Sequence, residues 1–138
     1  MVDTNVWISA ALSKYGNPRR VVDFLSLAGH IVASQDTFEE FESRIRRKRL
    51  EKYFPSPVDR ETYINWVYAL SQPFVQPVRV AACTDPDDDK FLEAALGGQA
   101  SYVITGNLKD FPPTPFQGIY IVNPAEFVRR EITKTWPE

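Results

Sequence analysis

Residues 85–105, DPDDDKFLEAALGGQASYVIT, hold a helix start, a helix, a stop and a buried strand in one run. Asp85 suits an N-cap, Pro86 the first helical position, and acids in the first turn favour the positive end of the helix dipole. Phe91, Leu92, Ala95 and Leu96 recur at helical spacing, which predicts a helix over 85–96, and Gly97-Gly98 stops it. Ser101-Tyr102-Val103-Ile104-Thr105 then reads as a strand buried on both faces. A helix delivered into such a strand is the pattern of a parallel sheet with crossover helices, so the fold class is α/β.

The alternation continues outward. Gly118-Ile119-Tyr120-Ile121-Val122 is a second buried strand, and Pro124 opens a final helix through Phe127 and Val128. Upstream, His30-Ile31-Val32-Ala33 reads as a strand and Met1-Val2 as a very short one ahead of Asp3. The first helix is expected to start near Pro18 and end at Gly29. The next starts on the cap chemistry of residues 34–36, carries Phe38, Phe41 and Ile45, and runs into the basic stretch 44–49. Residues 53–57 break it. Residues 59–70 place Tyr63, Trp66 and Val67 at helical spacing, and Pro73 and Pro77 bracket an extended piece around Phe74-Val75. There is no repeat, linker or low-complexity tract, and residues 1–138 are expected to form one domain.

The 138 residues carry 16 Lys+Arg against 18 Asp+Glu, a net charge of -2, and 43% of them are hydrophobic, enough for a core and too much for disorder. Cys83 is the one cysteine, so neither an intrachain disulfide nor a cysteine-cluster zinc site can form, and a reducing, cytoplasmic setting is expected. Neither a secretory leader nor a membrane span is expected.

In an open parallel sheet, sites form beyond the carboxyl ends of the strands. Four acids fall there: Asp3 after the first strand, Glu40 in the helix after the second, Asp88 at the start of the 85–96 helix, and Asp110 in the turn after the 101–105 strand. At about 100° per residue Asp88 points within roughly 10° of the centre of its helix's apolar face, and Asp87 and Asp89 are each about 90–110° away. An inward carboxylate needs a partner, either a metal ion or an Arg or backbone nest. Glu40 lies more than about 100° from the centre of the face set by Phe38, Phe41 and Ile45, so periodicity does not choose it over Glu39 or Glu42. Asp3, with Thr4 and Asn5 to hold it, is poorly explained as packing.

Val2-Asp3-Thr4-Asn5-Val6, the helix with Glu39-Glu40-Phe41, the 85–95 run, and Val103-Ile104-Thr105-Gly106-Asn107 followed by Asp110-Phe111 together, in that order, resemble a PIN domain. More narrowly they are similar to toxins of toxin–antitoxin systems related to VapC-type ribonucleases. The resemblance implies a three-layer α/β/α fold and a metal-dependent endoribonuclease, with Asp3, Glu40 and Asp88 as the first three acids. The family usually has Asp directly after the Thr-Gly pair, whereas Asn107 stands there in this chain. Asp110 takes the fourth role, or Asn107 serves as a neutral ligand, or the site has three strong acids. Mg²⁺ or Mn²⁺ is implied as cofactor, since hard cations take oxygen ligands and activate water at a phosphodiester. Thr4, Asn5, Thr105 and Asn107 are expected to give hydrogen-bonding support.

Six of the 16 basic residues, Arg44, Arg46, Arg47, Lys48, Arg49 and Lys52, lie within nine positions just past Glu40. They either grip RNA phosphates or form a solvated face. The resemblance implies an RNA substrate and a cognate antitoxin, and exposed aromatics suggest a homodimer. Tyr63, Trp66 and Tyr68 fit core or dimer contacts better than base stacking, and His30 and Cys83 are read as packing. The competing class is a catalytically silent PIN-like or nucleic-acid-binding module. A phosphotransferase of the haloacid-dehalogenase type fits less well, because Asn5 stands where its second Asp belongs.

Overall fold

In the computed structural model, which describes residues 1–134, three extended segments lie side by side. Strand β1 (Tyr102–Ile104) pairs in parallel with β2 (Tyr120–Val122), with Tyr102 opposite Tyr120, Val103 opposite Ile121 and Ile104 opposite Val122. On the other side of β1, Val2 bridges Ile104 in parallel, through bonds of 2.9 Å from Asp3 N to Ile104 O and from Ile104 N to Met1 O. Successive side chains of a strand point to opposite faces. Val2, Ile104 and Val122 accordingly join one core, and Met1, Val103 and Ile121 the other.

The first core is covered by helices α1 (Thr4–Leu12), α2 (Asn17–Ala28), α3 (Gln35–Ile45), α4 (Pro57–Leu70) and α6 (Pro124–Phe127), the second by α5 (Asp89–Gly97). The three-layer α/β/α arrangement is therefore present around a small sheet. Phe41, Ile64, Phe91 and Leu92 are at most 2% exposed, and full burial of such a side chain contributes about 1.5–3 kcal/mol. Tyr63 and Trp66 join the first core: the Tyr63 hydroxyl donates to Trp7 O at 2.6 Å, and Trp66 meets Trp7 edge-on. Tyr68 is half exposed and stacks edge-on against Phe38.

Several boundaries follow from caps. Ser34 and Thr37 form a reciprocal capping box at the start of α3, with Thr37 N to Ser34 Oγ at 3.2 Å and Ser34 N to Thr37 Oγ1 at 3.0 Å. Ser56 caps α4 ahead of Pro57, Asn123 caps α6 ahead of Pro124, and α2 stops at Gly29.

Other expectations change. The first helix is α1, not the one at Pro18. Residues 4–12 are apolar on most sides, and the Asp3 side chain makes no cap bond, so neither amphipathic contrast nor cap announces the helix. Residues 31–33 are buried but form no sheet ladder; Val75 N donates to Ala33 O at 2.9 Å. Helix α3 ends at Ile45, and the basic stretch continues as a 3-10 turn, Lys48–Tyr53. The predicted 85–96 helix is a 3-10 turn, Pro86–Asp88, followed by α5. Beyond α6 the chain winds into a π-turn, Val128–Ile132.

The segment before that 3-10 turn runs as a strap along α5. Val78 N donates to Glu93 O at 3.0 Å, Val80 N to Glu93 Oε2 at 3.1 Å, and Ala82 N and Cys83 N to Asp89 Oδ1 at 3.0 and 2.8 Å. The strap crosses the end of α5 so closely that a Cβ on Gly97 would lie 1.8 Å from Gln76 O. No described helix is long and apolar enough to cross a membrane.

Candidate active site

Asp3 follows Val2 at the carboxyl edge of the sheet and is 5% exposed. The Thr105 hydroxyl, just past β1 and fully buried, donates to Asp3 Oδ2 at 2.7 Å and accepts from Asn107 N at 3.0 Å. Burial pushes the Asp3 carboxyl above its ordinary range, opposed by the Thr105 hydroxyl, the Asn5 and Thr4 backbone N–H groups and the Arg44 charge. Thr4, Asn5, Thr105 and Asn107 all lie in this strand-end network, Asn5 through its backbone while its side chain stays exposed.

Glu40 projects from the middle of α3 with its side chain 8% exposed. The Thr4 hydroxyl donates to its Oε2 at 3.0 Å, Arg44 Nη2 lies 2.5 Å from its Oε1, and Lys90 Nζ lies 3.9 Å from its Oε2. Buried Oε1 accepts no hydrogen bond, so the Arg44 contact is a charge contact out of hydrogen-bond alignment. The neighbours are spent elsewhere: Glu39 accepts from Gln35 at 2.9 Å, and Glu42 pairs with Arg46 at 3.2 Å. Helix α3 packs on both α1 and α5, so its covered arc is wider than the stripe of Phe38, Phe41 and Ile45 and takes in Glu40.

Asp88 is half-buried at the junction of the 3-10 turn and α5. Partial burial and then the charges of Asp3, Asp85, Asp110 and Glu40 push its carboxyl up to about 6. Asp110 sits in the 3-10 turn Leu108–Asp110, held by a hydrogen bond from Asn107 Nδ2 to its Oδ2 and by Thr84 N donating to its backbone O at 3.0 Å. Asp85 caps its own turn, accepting from Asp87 N at 2.9 Å. Asp87 is exposed and pairs with Lys90 at 3.1 Å.

Periodicity pointed Asp88 inward and Asp89 away, but Asp89 is the deeper of the two, 8% exposed. Burial pushes the Asp89 carboxyl up, and the N–H groups of Cys83 and Ala82 outweigh that and hold it below its ordinary range. Asp89 and Glu93 latch the strap and are structural acids that sequence reading missed. Their signal was an i, i+4 acid pair on a helix flanked by a proline-bracketed segment whose N–H groups needed acceptors. Lys90 was missed as well. A cleft of about 540 Å³ opens on Glu40, Asp87, Lys90 and Glu93. Cys83 packs against the second core as expected, its thiol pushed up to about 12 by burial and then by Asp89. His30, expected in packing, is exposed.

The basic run divides. Arg44 serves Glu40, Arg46 pairs with Glu42 and Glu61, and Lys52 lies over the Tyr53 ring, while Arg47, Lys48 and Arg49 face solvent.

Among the described residues no three His, Cys, Asp or Glu side chains stand close enough together to hold a metal ion as they are. The donor set nonetheless suits a hard cation: every acid offers only oxygen, Asp88 is repelled by its neighbours, and Glu40 Oε1 is buried without a hydrogen bond. Arg44 and Lys90 supply positive charge in that space.

No curated protein and no solved structure matches the chain. The family model described as PIN domain matches residues 1–109, a span that includes Asp3, Glu40, Asp88 and Asn107 and ends one residue before Asp110. The strand-end acids and the match over most of its length agree: the chain belongs to the PIN domain family, whose members are commonly nucleases that use divalent metal ions.

Proposed function

We propose that this chain is a metal-dependent endoribonuclease that hydrolyses RNA phosphodiester bonds, and the toxin component of a toxin–antitoxin system. The observation that carries the reading is the gathering of carboxylates at the strand ends: besides partial burial, the charges of Asp3, Asp110 and Glu40, from three other parts of the chain, and of Asp85 in its own turn push Asp88 up. Structural acids are spread out or paired; acids crowded at the cost of repulsion point to a function that uses them together.

Asp3, Glu40 and Asp88 would hold Mg²⁺ or Mn²⁺, and Asp110 would complete the set or orient a water. A bound divalent ion supplies charge neutralisation and a more acidic water. Thr105 fixes Asp3 and Thr4 fixes Glu40, so both carboxylates are pre-oriented. Asn107 acts by holding Asp110 in place. Exposed Arg47, Lys48 and Arg49, with Arg44 and Arg46 once released from their carboxylates, would take phosphates of a single-stranded RNA on either side of the bond to be cut. A cytoplasmic antitoxin covering the acids and a homodimer complete the proposal.

The test is digestion of single-stranded RNA with Mg²⁺ or Mn²⁺ beside an EDTA control, for the unaltered chain and Asp3→Asn. Cleavage lost in EDTA and in the variant is the expected result. One second reading has its own observation, since Arg44 already neutralises Glu40 and Asn107 replaces an acid: a silent nucleic-acid-binding module would bind the RNA and leave it whole. Expression of the lone chain should arrest growth, and light scattering should give a dimer; normal growth and a monomer would remove the toxin and dimer parts.

A further inference from the structure

Among the described residues, Glu40 is the acid of the cluster that lies within ion-pair distance of cations. Its carboxylate, 8% exposed, lies 2.5 Å from Arg44 and 3.9 Å from Lys90. The two contacts differ in kind. Lys90 has a closer partner in Asp87, at 3.1 Å. Arg44 sits on the same helix, one turn along, and points its charge at Oε1, which is buried and accepts no hydrogen bond. A bidentate, aligned Arg–carboxylate pair is the strong form of this contact; the Arg44 pair is close, charged and misaligned. Arg44 also acts on Asp3, where its charge partly offsets the burial that pushes that carboxyl up. One guanidinium thus serves two of the acids assigned as metal ligands, and Oε1 is left needing a partner that Arg44 does not supply.

We infer that Arg44 is a built-in competitor for the divalent cation, holding the place beside Glu40 Oε1 and leaving it when the ion binds. The inference rests on the metal-site reading above and adds to it what the site exchanges. An ion that takes Oε1 must displace the guanidinium standing 2.5 Å from it, so the apparent affinity falls by the fraction of time Oε1 is free. Arg44, anchored on α3 and already one third exposed beside Glu40, has a route outward to solvent. It then becomes available to an anion such as an RNA phosphate.

Mn²⁺ titration by calorimetry, on the full chain without RNA, tests this. Arg44→Met removes the competitor and keeps much of the apolar stem, and Arg44→Gln serves as a second variant if the first folds poorly. Exposed Arg20→Met on α2 controls for loss of one positive charge. Mn²⁺ should bind roughly tenfold more tightly to Arg44→Met, with less than about a twofold change in Arg20→Met, if Glu40 is free about a tenth of the time. Melting temperature gives an independent readout: added Mn²⁺ should raise it more in Arg44→Met than in the unaltered chain. Unchanged or weaker Mn²⁺ binding in both Arg44 variants would overturn the inference and leave the metal-site reading standing. An equal gain in Arg20→Met would overturn it in favour of a general charge effect. No Mn²⁺ binding by the unaltered chain or by either Arg44 variant would overturn both.

Discussion

Replacing Asp88 with Asn removes one charge from a group of five carboxyls, the others being Asp3, Asp85, Asp110 and Glu40. Its carboxyl is raised from 3.8 to about 6, which at face value corresponds to about 3 kcal/mol disfavouring the charged form in the folded chain. The side chain is only half-buried, and solvent screens it, so about 1 kcal/mol is the reasonable expectation. In EDTA at pH 7.5, Asp88→Asn should therefore be more stable than the parent by about 1 kcal/mol, a gain of roughly 3 °C in melting temperature for a chain of this size. Below about pH 3.8 the carboxyl is protonated in folded and unfolded chains alike, and the penalty is absent. It grows from there to about pH 6 and is complete above. The gain should therefore fade on acidification from pH 7.5 to pH 4. Asp87→Asn, exposed and paired with Lys90, should shift stability by at most a few tenths of a kcal/mol and leave turnover nearly intact. Calorimetric melts across pH, run beside RNA digestion, decide the matter. A destabilised Asp88→Asn at pH 7.5, a gain that does not vary with pH, or full activity would refute the reasoning.

Thr105→Val removes the donor to Asp3 and the acceptor for Asn107 N; urea unfolding should show a loss of about 1–3 kcal/mol, and the lower limb of the pH–activity profile should move upward because Asp3 loses a bond that favours its charged form. Gly97→Ala should cost about 2 kcal/mol or more, because its Cβ would meet Gln76 O and lift the strap; a loss under about 0.5 kcal/mol in urea melts would show that the strap yields freely.

Local chemistry made much of the fold readable. Ser34, Pro57, Pro124 and Gly29 mark helix ends by caps that act within a few residues, and the apolar runs at 102–104 and 120–122 are strands because both faces are covered. What stayed hidden depends on neighbours distant in sequence. Helix α1 is fixed by burial on a core assembled later in the chain. Glu40 is covered because α1 and α5 both pack beside α3. The apolar stripe of α5 reports the sheet beneath it, whereas its second cover, the strap, is bound through acids and backbone N–H groups to which hydrophobic periodicity is blind, so Asp89 was read as outward. Of the basic groups facing Glu40, Arg44 was read only as part of the basic run and Lys90 not at all.

The bond between Thr105 and Asp3 joins residues 102 positions apart. During synthesis at about 5–20 residues per second, Asp3 is made roughly 5–20 s before its hydroxyl partner exists. Over that interval Val2 has no strand to lie against and Asp3 no donor beyond its own neighbours, so the nascent chain carries the first acid without the centre it belongs to. Premature termination between α5 and β1 yields a fragment with the residues of α1 through α5 and no strand edge to gather their carboxylates. On the proposed function, an acid centre closed by a strand made this late would stay silent on the ribosome.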